Sequence, residues 1–392
     1  MAFSDVVRLL FGCCSAGRQS VHGALKSTGV EAKRIQSAYV GNFAGELFTR
    51  QGHLGAALIG THGDFRYMPS MRVEGACASG GLAFASAVRD IQAGNDVVLV
   101  AGVEVQTTAS PRQGAEYLAT ASHFAKQRSL DEFTFPAMFA RRMKAYRNQY
   151  GVSEAQLAHV VTKAYENANL NPLAHMQLKK MTLELASKAG DTNPNFLSNE
   201  ALKPWLKISD CSQVSDGGAA LILVSEEGLA SVGRKLGDAV EVLACVHTTD
   251  DLYEEGNFLR MDNTAAAAKR AYQATGLAPK DIQVAEVHDC FSIAEVLMYE
   301  ALGFAEVGSG WQLAESGATR RDGRLPVNTG GGLMGMGHPV GATGVKQLLE
   351  IFKQMKGTAG AYQIASRPQY GLTANMGGND KTSVVSVLAN LQ

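Results

Sequence analysis

The chain has 392 residues, of which 46% are hydrophobic and 19% are charged, and its formal net charge is −1. A chain of this length can bury two or three domain cores. Its near-neutral charge favours neither nucleic acid nor an anionic membrane surface as a partner, and no apolar run reaches the ~18 residues that span a bilayer. Six cysteines without a CxxC pair indicate a soluble protein of a reducing compartment, which could be the cytoplasm or a mitochondrial or peroxisomal matrix.

The first twenty residues, MAFSDVVRLLFGCCSAGRQS, carry two arginines and one acid around an apolar centre. This composition allows a transit peptide. An amphipathic helix that continues into VHGALKSTGV is the preferred interpretation, and it leaves no strand before the first helix.

Strand-like and helix-like stretches then alternate up to residue 110. IQSAYVGNFAG (35–45) is typical of a strand that ends in a glycine turn, and LAFASAVRDIQAG (82–94) of a helix capped at Gly94. DVVLVAGVEV (96–105) is a continuous apolar run, as expected for a strand buried on both faces. This alternation predicts a mostly parallel sheet covered by helices.

The composition changes between residues 111 and 209, where aromatic and amide residues become more frequent and no clear strand pattern is found. This stretch is predicted to be a largely helical insertion. SDGGAALILVSE (215–226) restores a buried strand. The predicted division is therefore an N-terminal half, 1–110 with 210–235, an inserted region, 111–209, and a C-terminal half, 236–392.

The C-terminal half repeats the pattern of the first. GDAVEVLACVHTTD, IQVAEVHDCF and KTSVVSVLANL are strand-like, and NTAAAAKRAYQATGL is a helix with Asn263 or Thr264 as its expected cap. GHPVGATGVKQLLEIFKQMKG is a glycine-rich turn that enters a helix. The repetition of strand, helix and glycine-rich turn predicts an internal duplication.

Cys77 is a candidate nucleophile in VEGACASGGLAFASAV, where a strand gives way to a helix. Small neighbours such as Gly75 and Gly80 would let a thin substrate approach the sulfur. The positive end of the following helix would favour thiolate over thiol, and free N–H groups there could stabilise an oxyanion. The alternative is a buried cysteine that serves as a small hydrophobic residue.

His338 follows the glycine-rich stretch NTGGGLMGMG and precedes Pro339. A loop of this kind can project the imidazole into a crowded site. A phosphate-binding loop is the alternative, but no GK[ST] motif follows the glycines.

HDCF (288–291) places His288 and Cys290 at the C-terminal end of a predicted strand, where ligands collect in α/β sheets. No further ligands stand at zinc-binding spacing, so no metal site is expected. TANMGGNDKTSVV adds a turn with Asn375 and Gly377, which by itself is an ordinary β-turn.

Together these stretches resemble the thiolase superfamily, in the subgroup of sterol-carrier-protein type thiolases. CASG, SDGGAALILVSE, HDCF, GHPVGATG and a terminal Asn-x-Gly-Gly occur in the family's order over nearly the whole chain. The resemblance implies a thiolase fold of two duplicated βαβαβαββ halves, five layers α-β-α-β-α, with a mainly helical loop domain inserted over coenzyme A.

The resemblance also implies roles for single residues. Cys77 would be the acylated nucleophile, His338 the base that activates it, and Cys290 the second acid/base. Most thiolases carry that second cysteine in the C-terminal loop, where this chain has Asn375. His288 would hold the thioester oxygen, and the backbone N–H groups of Cys77 and Gly377 would form the oxyanion hole of the acyl-enzyme.

The implied reaction is the reversible cleavage of a 3-ketoacyl-CoA by coenzyme A, as in fatty acid beta-oxidation, or the reverse Claisen condensation. Coenzyme A is then a substrate, and no covalently bound cofactor is expected. The expected coenzyme A contacts are Met138, Phe139, Arg141, Arg142, His175 and Met176. Family members are typically homodimers joined through the N-terminal sheet, and 96–106 could supply such an edge.

One departure from the family is the expected absence of the usual first strand, which is central in the N-terminal sheet. It leaves open a catalytically impaired, thiolase-like protein that only binds acyl-CoA, although the four reactive side chains remain. A Cys-dependent hydrolase is a further alternative, since Gly75-x-Cys77 resembles a nucleophile elbow. The duplicated topology and HDCF argue against the hydrolase.

Overall fold

The computed structural model describes residues 7–15 and 18–391. The strands are β1 Arg8–Ser15, β2 Ser37–Gly41, β3 Ser70–Val73, β4 Val97–Glu104, β5 Gly217–Val224, β6 Val240–Thr249, β7 Val284–Val287, β8 Tyr370–Gly377 and β9 Thr382–Asn390. The helices are α1 Arg18–Thr28, α2 Gly45–Thr49, α3 Leu54–Ile59, α4 Ser79–Gln92, α5 Pro111–Ala119, α6 Phe124–Gln127, α7 Thr134–Tyr150, α8 Glu154–Ala168, α9 Leu183–Ser187, α10 Glu226–Ser231, α11 Asp262–Thr275, α12 Ser292–Ala301, α13 Gly310–Glu315, α14 Gly332–Met336 and α15 Thr343–Lys356.

The strand order shows the internal duplication directly. The strands hydrogen-bond in the order β3-β2-β4-β5-β1-β6-β9-β8-β7. Each half places its first strand, β1 or β6, beside its last, β5 or β9, and the two first strands meet in the middle, where Leu9 pairs with Val240. The sheet is mixed rather than mostly parallel, because the last strand of each half runs antiparallel to its neighbours.

The first strand of the family is present, and the prediction that it is missing was wrong. Residues Arg8–Ser15 form β1, which pairs antiparallel with β5 from Arg8 opposite Val224 to Ser15 opposite Gly218. The helix expected to run from the first twenty residues into VHGALKSTGV is only partly correct, because α1 spans Arg18–Thr28 and Arg8–Ser15 is a strand. A short apolar run does not distinguish a buried strand from a helix, and here the central gap in the sheet selects the strand.

Helices α4 and α15 lie in the middle of the molecule and pack on each other. Phe84 of α4 and Phe352 of α15 belong to one buried cluster that also holds Val100 of β4 and Leu388 of β9. On the outer faces, α1 covers the N-terminal strands, and α11 and α12 cover the C-terminal strands. The packing gives the five layers α-β-α-β-α expected from the resemblance.

Two features of the N-terminal half bear on how copies of the chain could associate. Strand β4, which contains most of 96–106, lies between β2 and β5 and is therefore not an edge strand. The proposed edge contact through that run is wrong. Strand β3 ends the sheet on this side, and Met71 within it is exposed.

Residues between β4 and β5 form α5 to α9 and their connecting turns. This agrees with the helical insertion predicted from the sequence. Among the residues that the structure describes, no helix is both long enough and apolar enough to cross a bilayer.

Candidate active site

Cys77 lies in a single 3-10 turn, Ala76–Ala78, between β3 and α4. Ala76 adopts a φ of 52°, a left-handed conformation that is uncommon for a residue with a Cβ. The turn is held by Ser79, whose hydroxyl accepts from Gly75 N at 3.1 Å and donates to Ala76 O at 2.6 Å. The turn therefore fixes the sulfur at the amino end of α4.

Glycines let the two halves of the fold approach each other closely behind Cys77. A Cβ added to Gly80 would lie 2.8 Å from Gly341 O, and one added to Gly344 would lie 2.2 Å from Gly81 N. No side chain fits at either position without moving the backbone. The amino ends of α4 and α15 are thereby brought into contact, and the segments that carry Cys77 and His338 come together with them.

The predicted catalytic side chains converge. One ligand atom each of Cys77, His288 and His338 lie within 4.8 Å of one another. The two imidazole rings stand nearly perpendicular, with centroids 5.1 Å apart. Cys290 lines the same cavity as Cys77 and His338, so thiols from both halves of the fold face one space.

The cavity around these residues is mostly apolar. Its wall is formed by Pro111, Ala115, Leu118, Ala121, Phe133, Phe135, Pro136, Val214, Phe291 and Val340. Most of these residues lie between 111 and 136, so the inserted region covers the site. Gln106, Ser212 and Gln213 add polar groups at the wall. No sequence motif marks these three residues, although Ser212 and Gln213 stand in a short polar stretch just before a buried strand.

Burial dominates the acid–base properties of the site. It raises the pKa of Cys77 to about 12, although the Gly378 N–H opposes the rise. It also raises the pKa of the Cys290 thiol, with Cys77 and Asp289 adding to the shift. Burial therefore works against the expected stabilisation of the Cys77 thiolate by the helix terminus.

Both histidines are held in the neutral form. Burial, with a smaller contribution from Lys346, lowers the pKa of His338 to about 3. Burial and the neighbouring His338 also lower the pKa of His288. At neutral pH the site consequently holds two thiols and two neutral imidazoles, and each imidazole offers one donor and one acceptor.

Asp289 connects the HDCF segment to the glycine-rich loop. Its carboxylate accepts from Leu333 N at 2.7 Å and from Met334 N at 3.4 Å, in the first turn of α14. A Cβ on Gly332, which has a φ of 62°, would lie only 2.1 Å from that carboxylate. These amides of the loop are used by a carboxylate of the protein itself, which argues against the phosphate-binding interpretation.

Asn375 and Gly377 belong to β8, and the turn predicted there begins one residue later, at Gly378. The Gly378 N–H faces the Cys77 sulfur. A Cβ on Gly377 would lie 2.0 Å from Gly75 O, so only glycine fits beside the nucleophile turn. The backbone of Gly377 and Gly378 thus lies next to Cys77, and the Gly378 N–H is turned toward the sulfur as an oxyanion hole would require.

The turn after Gly378 is anchored on both sides. Asn379 accepts from Arg142 Nε at 2.6 Å. The Asp380 carboxylate accepts from the amides of Asn263 and Thr264 at 3.0 and 3.1 Å, and from the Thr264 hydroxyl at 2.6 Å. The prediction that Asn263 or Thr264 caps α11 was therefore wrong. The carboxylate of Asp380 satisfies the amides at the start of that helix.

Three of the six expected coenzyme A contacts are enclosed by protein. Met138 is 3% exposed, Phe139 is 0% and Arg142 is 1%. Arg142 donates to the carbonyls of Asn257, Phe258 and Arg260 as well as to Asn379. All three side chains are buried in the free protein and none lines the cavity that contains Cys77, so their contact with coenzyme A stays a prediction.

The other three expected contacts are at least partly accessible. Arg141 forms a two-point ion pair with Glu255, with its closer contact at 2.6 Å. His175 lines a second cavity with Asp216, Gly337 and Lys346, and Met176 is half-buried beside it. None of the three lines the cavity that contains Cys77, so their contact with coenzyme A stays a prediction.

A duplicated α/β fold that brings two thiols and two imidazoles to one covered cavity defines a narrow class of proteins. The family "Thiolase, N-terminal domain" matches residues 15–227, and "Thiolase C-terminal domain-like" matches residues 244–390. The chain therefore belongs to the thiolase superfamily, in the sterol-carrier-protein type subgroup.

Individual relatives agree with this assignment. The chain is 37% identical to an acetyl-CoA acetyltransferase of Methanothermobacter thermautotrophicus, over 94% of this chain and 92% of that protein. It is 30% identical to sterol carrier protein 2 of Gallus gallus, over 87% of this chain and 61% of that protein. The structure of human mitochondrial 3-ketoacyl-CoA thiolase in complex with CoA shares the fold, with a TM-score of 0.73, 16% identity and coverage of 100% of both chains.

Proposed function

We propose that the protein is a working thiolase that cleaves 3-ketoacyl-CoA with coenzyme A, or condenses two acyl-CoA molecules in the reverse direction. The single observation that carries the proposal is the convergence of Cys77 and Cys290, from opposite halves of the fold, on one cavity. The reaction needs one thiol to hold an acyl group and a second acid/base to exchange a proton with the released carbon.

In the cleavage direction, Cys77 Sγ attacks the 3-keto carbon while His338 accepts the thiol proton. The amides of Cys77 and Gly377, with Gly378 adjacent, stabilise the oxyanion. Losing one such donor typically costs about 2.7–4 kcal/mol of barrier. The bond between the α- and β-carbons then breaks and leaves an acyl group on Cys77 and the enolate of acetyl-CoA.

Cys290 donates its proton to the α-carbon of that enolate, and His288 holds the enolate oxygen. Acetyl-CoA leaves, and the Cys290 thiolate takes the proton of the incoming coenzyme A thiol. The resulting coenzyme A thiolate attacks the acyl group on Cys77. As the acyl-CoA departs, the proton on His338 returns to the Cys77 sulfur. A positioned acid/base of this kind contributes about 10²–10⁴-fold to the rate.

The cavity suits an acyl-CoA. Its apolar wall can accept an acyl chain and the pantetheine arm, and its polar groups Ser212 and Gln213 can bind the amides of that arm. Arg141, His175 and Met176 are proposed to contact coenzyme A further out. Both thiols must stay reduced for this chemistry, which is consistent with a reducing compartment.

We also propose a homodimer joined at β3, the outer strand of the N-terminal half. Edge strands carry unpaired backbone groups that a second copy can complete. Tyr67, just before β3, is 92% exposed and Met71 is 57% exposed. Sedimentation of the wild type and of a Met71→Lys variant would test this contact.

The alternatives have lost support. An impaired binding protein was considered because the first strand was expected to be missing, and β1 fills that place. A hydrolase triad would need an acid behind the base, but the Nδ1 of His338 contacts the hydroxyl of Thr343 at 2.7 Å instead of a carboxylate.

The test is the loss of absorbance of the 3-ketoacyl-CoA–Mg²⁺ enolate when coenzyme A is added, with short, medium and long acyl chains. We expect a decrease that Cys77→Ala abolishes and that Cys245→Ala, a matched control outside the cavity, leaves unchanged. No decrease with any chain length would show that the protein is not a thiolase.

The division of labour between the cysteines has its own test. Cys290→Ala should still form an acyl adduct on Cys77, detected by mass spectrometry, while condensation falls by at least about 10²-fold. Absence of the adduct in a folded Cys290→Ala protein would contradict the separate roles.

A further inference from the structure

His288 and His338 stand side by side in the site, yet the proposed reaction needs opposite behaviour from them. His288 must donate a hydrogen bond to an oxygen that becomes negative, whereas His338 must accept a proton from sulfur. A neutral imidazole carries its proton on only one nitrogen, and the partner of the other nitrogen decides which. The neighbours of the two Nδ1 atoms therefore determine what each Nε2 can do.

The orientation of the Asn375 amide is fixed by two contacts that do not involve His288. Its Oδ1 lies 3.1 Å from Gly81 N, which can only donate. Its Nδ2 lies 3.0 Å from Cys77 O, which can only accept. Exchanging the two amide atoms would place donor against donor and acceptor against acceptor. Nδ2 is therefore the group that faces His288.

Asn375 Nδ2 lies 3.3 Å from His288 Nδ1. Because Nδ2 is a donor, Nδ1 must be the acceptor and the ring proton must be on Nε2. That atom is buried and has no hydrogen-bond partner among the described residues. It is therefore a donor held ready for a group that is not part of the protein.

The contacts of His338 lead to the opposite arrangement. Its Nδ1 lies 2.7 Å from Thr343 Oγ1, which is also 3.1 Å from Pro339 O. Both contacts are hydrogen bonds at once only if the hydroxyl donates to Pro339 O and accepts from Nδ1–H. The Nε2 of His338 then carries a lone pair, as a base requires.

We propose that Asn375 and Thr343 are positioning residues that hold the two histidines in opposite tautomers, His288 as an Nε2–H donor and His338 as an Nε2 acceptor. Asn375 stands where most of the family carries a cysteine. In this proposal its role is to set the tautomer of His288. The arrangement also bears on metal binding: Cys77, His288 and His338 are close enough to hold an ion, but an Nε2 that carries the ring proton offers no lone pair to one. The meaning for catalysis depends on the proposed thiolase function.

The direct test is long-range ¹H–¹⁵N correlation NMR on the wild-type protein labelled with ¹⁵N-histidine, which distinguishes the two neutral tautomers. Signals are assigned with His288→Gln and His338→Gln. We expect Nε2–H for His288 and Nδ1–H for His338 at neutral pH. The same tautomer for both rings would overturn the inference, and this result needs no substrate.

Variants then test which residues set the tautomers. Asn375→Asp places an acceptor opposite His288 Nδ1 and should move its proton to that atom, whereas Asn375→Ala removes the preference. Thr343→Val should release His338, and Thr343→Ser, which keeps the hydroxyl, should restore the wild-type spectrum. An unchanged His288 signal in Asn375→Asp would contradict the assignment.

Kinetics distinguish positioning from a merely structural role. Thr343→Val should slow acylation of Cys77 by about 10²–10⁴-fold, while Thr343→Ser stays close to the wild type. Asn375→Asp should lower kcat more than it raises KM, because the lost donor acts on developing charge. Opposite tautomers in a protein without thiolase activity would support this inference and contradict the proposed function. Identical tautomers in an active thiolase would contradict this inference and support the proposed function.

Discussion

Phe139 of α7 stacks on Phe291, with ring centroids 4.3 Å apart and the ring planes inclined by 19°. Phe291 directly follows Cys290 and lines the cavity. The inserted region is thus attached to the segment that carries the second thiol. Phe139, which the sequence predicts to touch coenzyme A, supports the wall behind the site through this stacking.

Phe139→Ala should destabilise the protein by about 3–5 kcal/mol, the usual cost of deleting a large buried aromatic side chain. Unfolding in urea, followed by tryptophan fluorescence, measures the change. Phe124→Ala, at a position 40% exposed, is the matched control and should change stability by about 0.5 kcal/mol or less. Equal effects of the two substitutions would contradict the packing role of Phe139.

Arg142 and its neighbour Arg141 should behave differently when each is changed to alanine. Arg142→Ala removes a buried guanidinium that donates to Asn379 and to three carbonyls, so several buried acceptors lose their partner. We expect a loss of about 3–5 kcal/mol, as for other buried charged groups removed from their partners. Arg141→Ala breaks an accessible pair with Glu255 and should cost about 1 kcal/mol or less.

These two variants also separate stability from ligand binding. Arg141→Ala should weaken coenzyme A binding, measured by calorimetry, if Arg141 contacts the ligand as proposed. A folded Arg142→Ala protein with wild-type stability would contradict the anchoring of the turn after Gly378.

The free protein should lack a preformed thiolate at Cys77, because burial raises the pKa of that thiol to about 12. The thiolate is the form that reacts with iodoacetamide. We therefore expect the alkylation rate of Cys77 to rise about tenfold per pH unit from pH 7 to pH 10, without a plateau. Mass spectrometry of the peptide that contains Cys77 gives the rate, and a plateau near pH 7 would reveal a thiolate–imidazolium pair instead.

Asp380 should make the protein less stable as the pH rises through the mildly acidic range. Burial raises its pKa to about 6, above the ordinary value of about 3.9 in an unfolded chain. Below pH ~3.9 both states are protonated, and between that pH and about 6 only the unfolded state ionises. The native state then binds more protons, so the free energy of unfolding falls by up to about 3 kcal/mol as the pH rises through this window.

Asp380→Asn provides the comparison, because an amide does not titrate and still accepts at Oδ1. The difference in unfolding free energy between wild type and variant should change between pH 4 and pH 7 and be constant above it. Parallel curves over the whole range would show that the pKa of Asp380 is not raised in the folded protein.

Much of this site could be predicted from local sequence. Cys77, His288, Cys290 and His338 stand in short motifs whose residue types suit thiol and imidazole chemistry, and the structure brings all four together. The run Arg8–Ser15 was misassigned as helix because a short apolar segment fits either structure, and only its place between β5 and β6 decides. The burial of Arg142 could not be predicted, because a cation on an amphipathic helix carries no local sign of burial.

The sequence by itself determined the family, the duplicated alternation of strands and helices, and the residues able to react, because these depend on residue type and on periodicity along the chain. Only the tertiary structure decided how those residues are ionised and which way their protons point. Asn375 lies 294 residues from Gly81 and 298 from Cys77, and no local pattern encodes such contacts. Desolvation and hydrogen bonding act between groups that are close in space, and folding alone creates that proximity.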